Sequence, residues 1–386
     1  MNYLIDFQYY GILILGIIST LIAISNSFSL KRLIFENTEM DNSILVSVLI
    51  PARNEGDKIS KCLESLILQT YRNLEIIILD DNSEDDTAQV VSYFQETDHR
   101  IKLIDGQRLP SGWGGKNWAC HQLSNQSNGE YVLFLDADTV FQTDTIEAAL
   151  QETKKNDIDL LTVIPKRPAN CIVEMAMFPF MNWAIFSWLP IKIAHSFGNP
   201  YLSATFGQFM LFKKKSYTHV GGHKKVHDNA IDDFQLGRFV KKAGLKWMLF
   251  DGTDKVESMP YKNTLDALNG ISRSVFPALN YSISVLLIFS VLLICLTFVP
   301  IMTITYALIT STATGIYWLI SVLSLSVFLI SWTLTCRRFN YPLFLIPFFP
   351  ISVGIMIFVA YHSMFSAVFK TTIWKERNVA IKKIRF

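Results

Sequence analysis

Apolar positions along this chain come in two textures. From Ile44 to Pro165 they form short runs rich in β-branched residues, each stopped by proline or acid: Ile44–Ile50 before Pro51, Leu74–Leu79 before Asp80, Ile101–Ile104, Leu133–Leu135 before Asp136, and Asp159–Pro165. Runs of this length bounded by turn residues predict strands. Between the first two, Ile59, Cys62, Leu63, Leu66 and Ile67 recur at helical spacing from Lys58 to Gln69. Strand, helix and strand make a βαβ unit, whose parallel strands end on one edge. Helices are also expected over Thr87–Phe94, capped by Ser83 or Asp85, and from Ile231 through Lys242, with a further strand over Phe206–Phe212.

The second texture is long and charge-free. No Asp, Glu, Lys or Arg lies between Asp6 and Lys31, between Arg273 and Arg337, or between Arg338 and Lys370. About 20 apolar residues cross a bilayer, so these tracts predict membrane helices: Tyr9–Leu30, Val275 to about Met302, Thr303–Thr335 and Tyr341–Phe369. Lys31-Arg32 after the first tract and Arg337-Arg338 after the third predict a cytosolic domain between anchors. A basic tail follows the last tract (Lys370, Lys375, Arg377, Lys382, Lys383, Arg385). If every tract spans, that tail ends outside, against the charge bias; either the last tract is re-entrant or the rule is broken. Cys171–Ala194, aromatic and interrupted by Pro179 and Pro190, reads either as a segment lying on the bilayer or as ordinary core.

Composition adds exclusions. Five scattered cysteines with no C-x-x-C pair imply neither a disulfide framework nor a zinc site. A net charge of +2 without a basic, aromatic-laced stripe gives no sign of nucleic acid binding.

The chemistry gathers at the strand ends. Asp136 and Asp138 leave a buried strand one residue apart, as hard oxygen ligands suited to Mg²⁺ or Mn²⁺ shared with a diphosphate. Asp80 and Asp81 precede any helix cap, where a carboxylate can accept from a nucleobase. Gly115 and Lys116 open a helix behind a glycine-rich loop, which suits a diphosphate but lacks P-loop spacing. Asp232 and Asp233 start another helix; the dipole accounts for one of them, and the other is a candidate general base. His223 and His227 lie on the approach to this helix and stay unassigned, a loop histidine being more often solvated than a ligand.

Taken in order, these pieces resemble the family 2 glycosyltransferases of GT-A fold: Val48-Leu49-Ile50-Pro51-Ala52-Arg53-Asn54-Glu55, Asp80-Asp81-Asn82-Ser83 with Asp86-Thr87, Asp136-Ala137-Asp138, and Asp232-Asp233-x-x-Leu236-Gly237. Leu109-Pro110-x-Gly112-Trp113-x-Gly115-Lys116-x-Trp118-Ala119 is similar to the hopene-associated members. The membrane layout and Trp374-Lys375-x-Arg377 are similar to the bacterial carotenoid (diaponeurosporenoate) members.

The resemblance implies an α/β, Rossmann-like, mostly parallel sheet with transmembrane helices at both ends. It divides the chain into an anchor (1–34), a catalytic domain (35–262, with 171–194 at the interface), an amphipathic helix and membrane region (263–369) and a tail (370–386). It implies that Asp81 contacts uracil, with Pro51, Ala52, Asn54 and Glu55 around the nucleotide. Asp138 would ligate Mg²⁺ or Mn²⁺, Asp136 the ribose or the metal. Asp233 would be the base and Asp232 its support, where the family has Glu-Asp.

The implied activity is inverting transfer of one hexose, glucose first, from a UDP-sugar to a terpenoid lipid by a multi-pass enzyme of the cell membrane. Gly270–Ser274 keeps only the arginine of the processive Gln-x-x-Arg-Trp motif, which favours single transfer. A polysaccharide synthase or a silent scaffold or transport protein are the alternatives.

Overall fold

The computed structural model describes residues 2–36, 42–312, 315–371, 373–375, 377–378 and 384–386. Residues 37–41 of the polar linker and 379–383 of the basic tail lie outside the described residues. The strands are β1 Val46–Ala52, β2 Leu74–Asp80, β3 Ile101–Asp105, β4 Tyr131–Phe134, β5 Thr139–Phe141, β6 Leu160–Lys166, β7 Met210–Lys213 and β8 Trp247–Ser258. They form one sheet in the order β3-β2-β1-β4-β7-β6-β8-β5. The pairs β3-β2, β2-β1, β1-β4 and β6-β8 are parallel, and β7 runs antiparallel to both its neighbours.

The near-continuous apolar strands are explained by burial on both faces. Alternate residues of β1 point to opposite cores: Val46, Val48 and Ile50 pack with Ile59, Cys62 and Leu63, whereas Leu49 packs with Ala119, Cys120 and Phe134 on the other side. The strand expected over Phe206–Phe212 is shorter. Phe206 to Phe209 make a turn, closed by Phe209 N–H donating to the Phe206 carbonyl at 3.1 Å, and pairing starts at Met210.

Four helices are long and apolar enough to cross a membrane: Ile5–Ser29, Ile283–Ile309, Ile316–Arg338 and Phe349–Val368. The break between the second and third falls at residues 310–315, eight residues beyond the expected Met302/Thr303 boundary, because charge-free sequence carries no local signal for where a hairpin turns. The first and second each pack on the third, and the fourth lies along Ile172–Trp188, Thr264–Ala278 and the second.

Cys171–Ala194 is helical on both sides of a break at Pro190. That break frees backbone groups, and the buried Asn26 of the first membrane helix takes them up. Its Nδ2 donates to the carbonyls of Phe186 (2.8 Å) and Leu189 (2.7 Å), and its Oδ1 accepts from Ile191 N–H (2.9 Å). Trp183 donates to Ser331 Oγ at 2.8 Å, so this segment is a layer between the sheet and the membrane helices.

The membrane helices are pinned to the sheet by charge. Asp251 of β8, fully buried, pairs with Arg338 at 2.8 Å, and Arg338 also donates to the Leu30 carbonyl at 2.7 Å. Beyond the fourth helix the chain returns to the sheet edge. Lys375 Nζ donates to the Asn54 carbonyl (2.6 Å) and pairs with Glu55 (3.0 Å), while its own carbonyl accepts from Arg53 Nε (3.0 Å).

Candidate active site

Parallel register carries Ala52, Asp80 and Asp105 to one edge of the sheet. Two loops meet there. Asn54 and Asn82 both adopt left-handed backbone (φ 50° and 55°), a conformation asparagine tolerates. Asn54 N–H donates to Ser83 Oγ at 3.0 Å and Asn54 Oδ1 accepts from Glu84 N–H at 2.8 Å. Glu55 N–H donates to Thr87 Oγ1 at 2.8 Å and Gly56 N–H to Asp85 Oδ2 at 3.0 Å. Arg53 donates to the carbonyls of Asp81 (2.7 Å) and Asn82 (2.5 Å).

Asp80 accepts from the Ser83 hydroxyl, so it holds the loop together. Asp81 is buried beside it and its N–H donates to the Ala52 carbonyl at 2.8 Å. The helix after this loop starts at Thr87 with Asp86 as its N-cap residue. Of the two caps expected, Asp85 accepts from Thr87 N–H at 3.0 Å, whereas Ser83 is spent on Asp80 and Asn54.

Asp136 and Asp138 follow the end of β4 on the same edge. Lys116, on the first turn of the helix Gly115–Gln126, lies 2.5 Å from Asp136 Oδ1, and Lys58 lies 3.4 Å from Asp138 Oδ2. Burial, then the neighbouring Asp136, raises the proton affinity of Asp138. Burial opposes the Lys116 ammonium, yet Asp136 and Asp232 outweigh it and hold its pKa above the usual lysine range.

Asp233 faces this group. Its Oδ2 accepts from Gly207 N–H at 3.0 Å and its Oδ1 from Phe234 N–H at 2.7 Å. Burial, and then Asp232 beside it, push its carboxyl up to about 7. Gly207 marks the centre. A Cβ built there would lie 3.3 Å from Lys116 Nζ, 3.4 Å from Asp233 Oδ2 and 3.8 Å from Asp136 Oδ2.

Asp232 does not bond Asp233 but turns to His223, 3.3 Å away. Burial alone would leave Asp232 protonated more readily; Lys116 and His223 reverse this and lower it below the usual carboxylate range. His223, unassigned from the sequence, is fully buried, its Nδ1 2.8 Å from the Tyr217 hydroxyl. Gly222 packs directly on Tyr217: a Cβ would fall 2.4 Å from the ring, with φ at +49°. His227 stays near the surface, in ring contact with Trp113 at 5.4 Å.

Residues 47–221 match the family model described as glycosyl transferase family 2. The matched stretch, a little under half of the chain, is a family 2 glycosyltransferase domain. The chain is 27% identical to the 4,4'-diaponeurosporenoate glycosyltransferase of Staphylococcus haemolyticus over 242 residues, 61% of this chain and 60% of the relative. It is 30% identical to glycosyltransferase GlyG of Streptococcus pneumoniae over 119 residues, 31% of this chain and 38% of the relative. The chain thus spans three-fifths or less of these relatives' lengths. The mannosyltransferase PcManGT of Pyrobaculum calidifontis, solved in complex with GDP-Man and Mn²⁺, superposes with a TM-score of 0.56 at 14% identity, covering 94% of this chain and 97% of its own. The GT-A fold expected of the sequence is therefore the fold of this chain.

The donor set suits a hard divalent cation. Asp136 and Asp138 supply two carboxylates whose charge is balanced here by lysines, and no group of three or more His, Cys, Asp or Glu gathers among the described residues. A cation held by two carboxylates draws its remaining ligands from water and substrate phosphates, as Mg²⁺ characteristically does. Lys58, Gly207, Tyr217, His223 and Lys375 were not legible as site residues. The nearest signal was Gly221-Gly222 before a histidine, a pair that needs a close neighbour to explain it.

Proposed function

We propose that this glycosyltransferase moves one hexose, glucose in the first instance, from a UDP-sugar to a membrane lipid of terpenoid type, with inversion. The observation that carries the reading is the convergence on Gly207: a cation, a carboxylate that holds its proton until near neutrality, and the end of the Asp136-x-Asp138 strand surround one small space. The name of the Staphylococcus haemolyticus relative supports the acceptor class, and the PcManGT complex supports a nucleotide-sugar donor with a divalent ion.

In this reading Asp233 removes the acceptor proton while the acceptor oxygen attacks the anomeric carbon from the face opposite the leaving group. The C–O bond to the diphosphate breaks and its electron pair leaves with the nucleotide. Lys116 stabilises that charge through its place beside Asp136. A divalent ion bound by Asp138 and Asp136 would neutralise the diphosphate. Asp81, Pro51, Ala52, Asn54 and Glu55 form the nucleotide side, and Gly115 presents backbone to the phosphates. Asp232 fixes the helix start through His223 rather than bonding the base. The catalytic domain is cytosolic: Lys31, Arg32, Arg337 and Arg338 all sit on its side of the membrane helices.

The test is a membrane-fraction assay with radiolabelled UDP-glucose and Mn²⁺, followed by organic extraction. A discrete organic-soluble product, lost in Asp138→Ala, is expected. Label in polymer, or no transfer from any nucleotide sugar by folded protein, overturns the reading.

A further inference from the structure

Arg167 is the charge that the proposed chemistry leaves unused. It follows β6, which runs antiparallel to β7 as β7 does to β4, so it emerges on the same sheet edge as Asp136. Its relative exposure is 9%, and its Nε has no hydrogen-bond partner. One arm donates to Asn182 Oδ1 at 2.5 Å and the other meets Met181 Sδ at 3.9 Å. The guanidinium carbon stands 5.0 Å from the Phe178 ring centre and 5.7 Å from that of Phe206.

No carboxylate pairs with Arg167 among the described residues. Glu174, on the same helix as Asn182, is buried with each oxygen taken by a backbone N–H, from Asn170 and Tyr261, both at 2.8 Å. Burial pulls the Arg167 pKa down, while the nearby Tyr341 and Tyr261 hydroxyls raise it. A guanidinium out of water without an anion is costly, and five N–H groups are more than one asparagine can use.

Its position identifies what it would take. Phe206, against the guanidinium, is followed by Gly207, whose N–H holds Asp233. Phe178, Met181 and Asn182 belong to the helix that separates the sheet from the membrane helices. We infer that Arg167 is the head-group anchor of the acceptor site, binding the oxyanion, carboxylate or phosphate, at the end of an apolar isoprenoid chain. This rests on the proposed lipid acceptor and adds to it an anionic group distinct from the hydroxyl whose proton Asp233 removes. The planar fork of arginine receives two oxygens of either anion at once.

The experiment uses the full chain in neutral-lipid nanodiscs, with tryptophan quenching by all-trans-retinoic acid, farnesyl monophosphate and all-trans-retinol. One of the two anions should bind about tenfold tighter than the neutral alcohol, the gain of one charge-assisted contact; which one does so tells carboxylate from phosphate. Arg167→Lys keeps the charge but loses the fork and should lower that preference, and Arg167→Gln should abolish it. Equal affinity for retinol and both anions, or a preference that survives Arg167→Gln, overturns the anchor. Should Arg167→Gln fail to fold, the wild-type ratio and Arg167→Lys decide. No nucleotide sugar enters this measurement, so an anchor disproved here leaves the transfer reaction standing, whereas transfer to polymer would remove the lipid acceptor on which the anchor rests.

Discussion

The two halves of the sheet edge treat their polar groups in opposite ways. On the nucleotide side, Asp80, Asp85, Asn54, Ser83 and Thr87 spend their side chains on one another and on backbone N–H groups, so the loops at 52–56 and 80–87 are stapled before any ligand arrives. On the catalytic side, Asp138 and Asp233 are half-buried and Arg167 is buried, each with its charge opposed by desolvation. One half is built for shape, the other holds groups whose ionisation a substrate can change. The lesson is that counting acids at strand ends does not separate the two roles, whereas the fate of each oxygen does.

Mutations sharpen the contrast. Asp233→Asn should lower kcat by ~10²–10⁴-fold with donor KM unchanged, the typical worth of a positioned base; steady-state kinetics with both substrates varied would show it. A raised donor KM instead would place Asp233 on the nucleotide side. Gly207→Ala puts a methyl 3.3 Å from Lys116 Nζ and 3.4 Å from Asp233 Oδ2. It should cost about 10²-fold in kcat, the scale of a misplaced catalytic group, with little change in melting temperature.

The pH profile follows from the sign of the Asp233 shift. Its carboxyl holds the proton up to about 7, and only the ionised form is a base. Activity should therefore fall about tenfold per pH unit on the acid side of 7 and level off above it. A profile flat down to pH 5 would remove Asp233 from the rate. The smallest effect belongs to the stapled half: Ser83→Ala deletes contacts to Asp80 and Asn54 and should cost about 1 kcal/mol of stability, read by thermal unfolding, with kcat unchanged.

Strands and carboxylates were legible because both are local: apolar runs stop where the sheet stops, and an acid at that point needs no partner elsewhere to be noticed. His223, Lys58 and Arg167 were not, because their meaning lies in tertiary contact. Lys58 meets Asp138 across 80 positions of chain, and His223 acquires its role only where Tyr217 and Asp232 close around it. The last apolar tract was ambiguous for a different reason. Length and hydropathy suit a span and a re-entrant segment alike, and the two differ only in where the chain on either side is held.

The return of Lys375 to Asn54 and Glu55 decides a matter of parity. Arg338 before the last apolar helix and Lys375 after it both touch the sheet domain, so that helix begins and ends on one side. If the other three helices cross and this one turns back, Asp6 and Lys375 fall in different compartments, and a reporter fused at one end of the chain would be sealed from a reagent that reaches the other.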